Sequence, residues 1–132
     1  MRVKITERDI KQSIIVDPAW YRVIIDEVED KASKDGKSIN SWYKGRIICH
    51  ADSGDKKYEG VPTPYLWLSN EAVAPLAMFR ACGFSEAEVA GAELDTQAMA
   101  GKVLEMFIGN APDNNGVIRN STNGQFRVAR AV

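Results

Sequence analysis

Histidine is nearly absent: His50 stands alone in a chain of 132 residues. Histidine-pair metal sites and Ser-His-Asp triads therefore have almost nothing to draw on. Cysteine is also scarce, and Cys49 and Cys82 lie far apart in apolar settings. They read as two buried free thiols in a reducing compartment; a disulfide stays open, though nothing in the spacing asks for one. No apolar run approaches the roughly 20 residues of a membrane helix. The stretch from Met1 to Ile10 is charged and lacks the apolar block of a signal peptide. A cytoplasmic protein with no membrane partner is expected. A glycine-rich phosphate loop is missing too. Cys49, His50, Asp52 and Asp55 cluster in sequence, but strand alternation puts Cys49 and His50 on opposite faces, so a solvated loop without metal is expected. Asp26 and Glu27 are neighbours on a strand, so their carboxylates should point apart. Without a carboxylate or histidine cluster, a nuclease or other enzyme is disfavoured, and no cofactor is expected. Asn120-Ser121-Thr122 fits a glycosylation acceptor that a cytoplasmic protein would not use.

What is present suits one folded domain. Apolar residues make up 45% of the chain, enough for a real core at this length. Neither an internal repeat nor a low-complexity tract interrupts it. Thr6 and Asp9 suggest a capped short helix over Ile5 to Lys11, and Asp17-Pro18 then breaks the chain. Trp20 to Glu29 is rich in aromatic and β-branched residues and reads as a strand, with Tyr21, Val23 and Ile25 on one face. Ser33 to Lys37 contains Asp35-Gly36, a strong hairpin signal. Ser38 to His50 should be the returning strand. Ile39, Ser41, Tyr43, Gly45, Ile47 and Cys49 would face a barrel interior, with Gly45 allowing a sharp bend. Asn40, Trp42, Lys44, Arg46, Ile48 and His50 would face outward.

Ala51 to Lys57 is polar and turn-like. Tyr58 to Leu68 looks extended, and Pro62 and Pro64 confine it to a sheet edge. Ser69 or Asn70 could cap a helix over Glu71 to Cys82 that Gly83 ends; Pro75 leaves its start uncertain. Ser85 and Glu88 match a capping box, and Asp95 to Ala100 suggests another turn. Lys102 to Gly109 reads as a strand, Asp113 to Gly116 as a turn, and Val117 to Asn120 and Phe126 to Ala129 as short strands. The expected fold is mainly β: a five-stranded OB-like barrel with a helix between strands 3 and 4 and short extra helical turns. Residues 1–132 would form one such domain, with 1–16 as an N-terminal extension. Periodicity alone leaves other small barrels and α+β folds open.

Net charge is −1, which alone argues against a strongly basic nucleic-acid binder, but the charges are unevenly spread. Lys31, Lys34, Lys37, Lys44 and Arg46 face only Asp35 between residues 31 and 46. Glu71, Glu86, Glu88, Glu93 and Asp95 face only Arg80 further on. Single-stranded nucleic acid offers phosphates to cations and base faces to flat rings, each stacked base contributing about 1–3 kcal/mol. Trp42 with Lys44 and Arg46 supplies both on one strand face. Lys31, Lys34 and Lys37 surround the adjoining hairpin, and Tyr58, Tyr65 and Trp67 add rings on the next segment near Lys56 and Lys57. Each has a plainer reading. The lysines could be a solvated hairpin tip; Trp42 could pack under the N-terminal segment or against a partner; Tyr65 and Trp67 could cover a barrel end. Tyr43 is assigned to the core, and Trp20 anchors the first strand. Arg127 and Arg130 would either extend the groove or hang free.

Ile15-Val16-Asp17-Pro18-Ala19-Trp20-Tyr21-Arg22-Val23, with the hairpin Lys31-Ala32-Ser33-Lys34-Asp35-Gly36-Lys37 and Ser38-Ile39-Asn40, resembles the opening of small phage single-stranded DNA-binding proteins. Gly60-Val61-Pro62-Thr63-Pro64-Tyr65 is similar to their third-strand segment, and Gly101 to Gly109 to the strand after their helix. The resemblance spans roughly Ile5 to Arg130. It implies an OB-fold and sequence-tolerant strand binding in phage DNA replication or recombination, with contacts at Lys34, Lys37, Asn40, Trp42, Lys44 and Arg46. Replication proteins of phage or host, and self-association, are possible partners. Where bacterial relatives carry an acidic tail, this chain reads Arg127-Val128-Ala129-Arg130-Ala131-Val132, so recruitment through such a tail is in doubt. The rival reading is an OB-like protein–protein interaction module that ignores nucleic acid, motivated by near-neutral charge and exposed tryptophans.

Overall fold

The computed structural model describes residues 1–70, 74–90 and 94–130. Its elements in chain order are α1 (Glu7–Gln12), β1 (Ala19–Ala32), β2 (Ile39–His50), β3 (Trp67–Ser69), α2 (Ala74–Ala81), α3 (Glu86–Val89), a 3-10 turn (Thr96–Met99), β4 (Val103–Pro112), β5 (Ile118–Ser121) and β6 (Phe126–Val128). The strands form one antiparallel sheet in the order β3-β2-β1-β4-β5, with β6 also on β4. β5 and β6 continue one another along the edge of β4 away from β1, so five strand positions curl into an open half-barrel. The sheet thus keeps two ends, β3 and β5, where a closed barrel would have none.

Alternation explains most of the core. Tyr21, Val23 and Ile25 from β1, Tyr43 and Ile47 from β2, and Leu104, Met106 and Ile108 from β4 are buried together with Met78 and Phe79 of α2. Two register shifts interrupt the β1–β2 pairing, between Arg22 and Val23 and between Ile25 and Glu27. After the second, burial jumps from the odd positions to Val28, as an extra residue in one strand requires. Gly45 lies opposite Ile25. A Cβ there would stand 2.3 Å from the Ile24 carbonyl oxygen, so the strands approach more closely than any side chain permits. The hairpin forms as Asp35-Gly36 predicts: Ser33 N donates to Ser38 O at 2.8 Å, and Gly36 takes φ +70°. Both capping boxes, Thr6/Asp9 and Ser85/Glu88, are made.

Several expectations change. Ile39 is 52% exposed, because the inner face runs out at the hairpin end. The Tyr58 to Leu68 segment is not one strand. Pro62 and Pro64 cannot donate ladder hydrogen bonds, so only Trp67–Ser69 pairs regularly, with an isolated bridge between Arg46 and Pro62. Of the expected helix, Glu71 to Val73 lie outside the described residues, as does Glu93 of the acidic stretch. Within the N-terminal extension, residues 1–16, the part from Lys11 onward is tied to the body of the fold. Val16 is 1% exposed and belongs to the core. Asn120 accepts from Val16 N at 2.9 Å and donates to Ile14 O at 2.8 Å, pairing with that segment as a strand would. Lys11 Nζ donates to Glu59 O at 3.1 Å. The N-terminal segment is thereby seated between the two ends of the sheet. No helix among the described residues is long and apolar enough to cross a membrane.

Candidate nucleic-acid interface

The outer face of the β1–β2–β3 region carries most of the residues singled out above. β3 runs antiparallel to β2 with Trp67 opposite Trp42, which puts both indoles on one side of the sheet. Their centroids lie 5.1 Å apart at an interplanar angle of 26°, and Tyr65 lies 5.1 Å from Trp42 at 34°. Three rings thus stand in a row. Lys44 Nζ sits 4.0 Å from the centre of the Trp42 ring. Trp42, covered by two rings and an ammonium, is half-buried and works as the backing ring. Tyr65 is 72% and Trp67 43% exposed. The ring faces open to solvent are therefore those of Tyr65 and Trp67 rather than that of Trp42.

The strand cations are less free than their sequence positions suggest. Lys44 Nζ lies 2.6 Å from Glu29 and 3.9 Å from Glu27. The hydrogen bond that Lys44 donates to Glu29 holds its ammonium above its ordinary pKa, partial burial opposing. Arg46 is paired with Asp26. Asp26 and Glu27 reach two cations on the same face of β2, so the β1 bulge turns toward one side the carboxylates that simple alternation would separate. Asn40 is half-buried beside Trp42, in register with Lys31 and Ser69. Lys31, Lys34 and Lys37 are exposed and form no ion pair with any described residue.

Tyr58 is not part of this row. It sits in the turn before Gly60, packs edge-on against Tyr21 at 6.0 Å and donates to the Asp17 carboxylate at 3.0 Å. The residues after Lys57 turn rather than extend, which separates Tyr58 from Tyr65. His50 packs edge-on against Tyr21 at 5.7 Å, and its Nδ1 accepts from Asp52 N and Ser53 N. Arg127 and Arg130 neither extend the groove nor hang free. Both bind Glu105, which is 0% exposed, and Arg130 also pairs with Asp52.

Beside the ring row a groove of about 390 Å³ opens between the two sheet ends. Lys44, Pro62, Thr63 and Tyr65 line one side, and Ile118, Arg119 and Asn120 the other, with Arg8 and Ile15 of the N-terminal segment between. Sequence reading missed Arg8 and Arg119. Arg8 belongs to a helix that looked like an appendage, and Arg119 to a short strand whose neighbours depend on how far the sheet curls. Neither a family model nor a curated protein matches this chain.

Proposed function

We propose that this protein binds single-stranded DNA without sequence preference, as an OB-like barrel of phage type acting in the host cytoplasm in DNA replication or recombination. The observation that carries the reading is the Tyr65–Trp42–Trp67 row, with open ring faces at Tyr65 and Trp67. It lies between the basic hairpin carrying Lys31, Lys34 and Lys37 and the groove lined by Arg8 and Arg119. In OB-folds, the face of strands 2 and 3 and the loops after strands 1 and 4 take up oligonucleotides. The ring row lies on β2, on β3 and just before β3, and the hairpin and the β4–β5 turn follow β1 and β4, which supports this reading. Bases would stack on Tyr65 and Trp67, and phosphates would follow the hairpin lysines. Titration with oligo-dT should quench tryptophan fluorescence, with affinity falling as salt rises. Unchanged fluorescence together with no gel shift at low salt would overturn the reading.

The pairing of Lys44 with Glu29 and of Arg46 with Asp26 favours one rival. A face with its charges already matched and two tryptophans in its centre also suits a protein partner. Binding to a protein that is indifferent to salt, with no response to oligonucleotide, would select that reading.

A further inference from the structure

The N-terminal helix α1 is placed where its own stability gives it no reason to be. It spans six residues and buries none of them, well short of the length at which a helix holds in water by itself. Ile10 is 58% and Ile5 68% exposed. Yet the chain directly after it is fixed. Asn120 grips Ile14 and Val16 with both ends of its amide, Lys11 reaches the Glu59 carbonyl, and Val16 enters the core. This anchoring holds Arg8, Gln12 and Ser13 over the seam between the sheet ends, along the groove that Lys44 and Tyr65 line on one side and Arg119 on the other. Arg8 forms no ion pair with any described residue. Arg119 holds Asp113 at 2.7 Å, but its side chain is 66% exposed, and exposed pairs of this kind exchange partners at little cost.

Resting on the strand-binding reading above, we propose that α1 is the second wall of the groove, with Arg8 and Arg119 contacting the phosphodiester backbone from the two sides of the seam. The strand leaving the Tyr65–Trp67 platform then passes between α1 and β5, and its phosphates supply the partner that Arg8 lacks. A bound strand holds α1 in place, which its own sequence does only weakly.

Limited trypsin digestion of the full chain with and without a dT oligonucleotide tests this directly, because Arg8 and Lys11 are cleavage points within α1. Saturating oligonucleotide should slow cleavage at both. In parallel, Arg8→Ala should make the log–log dependence of affinity on salt shallower by about 0.7, one phosphate contact. Arg80→Ala on α2, far in sequence from the groove and paired with Glu86, should leave the slope unchanged. If oligonucleotide binds but cleavage in α1 is not slowed, or the Arg8→Ala slope equals the wild-type slope, the second wall is wrong and the strand-binding reading survives. If the wild-type chain does not bind oligonucleotide at all, both fall together.

Discussion

Glu105 is sealed from solvent yet sits among three arginines. Burial alone would raise its pKa. The hydrogen bond from Arg127, the Arg130 amide and the two guanidinium charges outweigh that and hold it below the usual carboxylate value. Such a group stabilises the fold fully above its unfolded pKa, about 4.3, and loses that contribution as pH falls through its lower folded value. Glu105→Gln keeps the shape and removes the charge, leaving guanidinium groups facing one another. Unfolding by urea at pH 7 should show a loss of about 3 kcal/mol, and the gap to wild type should narrow below pH 4.3, within the usual carboxylate range. An equal gap at both pH values would mean that the charge is not what matters there. On the ring row the individual residues divide differently. Tyr65→Ala and Trp67→Ala should each weaken oligo-dT binding by about 1–3 kcal/mol, the worth of one stacked base. Trp42→Phe should cost less, because Phe still backs its two neighbours; isothermal titration of the three variants orders them.

Elements obeyed local rules and departed from them where strands meet. The hairpin at Asp35-Gly36, the Thr6 cap, the Ser85/Glu88 capping box, the inner face of β2 apart from Ile39, and the helix before β4 all follow from residues close in sequence, and each was legible. The pairing of Lys44 with Glu29, the side to which Asp26 turns, and the covered faces of Trp42 were not. They depend on register, and register here depends on two bulges in β1 that no residue type announces. Tyr58 illustrates the same limit: Tyr58 and Trp67 look like neighbours on one extended run until Gly60, at φ +85°, turns the chain between them. Gly45 was legible as a bend, while the reason it cannot be anything else is cross-strand. Gly45→Ala would press a methyl group against the Ile24 carbonyl, and overpacking of that kind costs about 1–3 kcal/mol. Thermal unfolding should show the drop, and the accompanying shift of β2 should reduce the Trp42–Trp67 stacking seen in near-ultraviolet circular dichroism.

For the molecule as a whole, the question is how a chain of net charge −1 could hold a polyanion. The answer turns on which cations are already neutralised. Lys44, Arg46, Arg127 and Arg130 each have a carboxylate within 4.0 Å, whereas Arg8, Lys31, Lys34 and Lys37 form no ion pair with any described residue. Salt dependence measures counterions released when free cations meet phosphates. A lysine that trades a carboxylate for a phosphate frees a carboxylate in the same step, so it adds little to the slope. These four unpaired cations, the ones along the proposed strand path, therefore set the expected log–log slope, about −3 for single strands at 0.7 per phosphate. The paired cations make a separate, opposite forecast. Glu27→Gln combined with Glu29→Gln should strengthen oligo-dT binding and steepen the slope by about 0.7, because together they free Lys44 beside the ring row. Fluorescence titrations of both proteins over a range of salt concentrations measure the two slopes. A wild-type slope near −5 would mean that unpaired cations beyond these four also meet phosphates, and an unchanged slope in the double variant would place the phosphates away from Lys44 altogether.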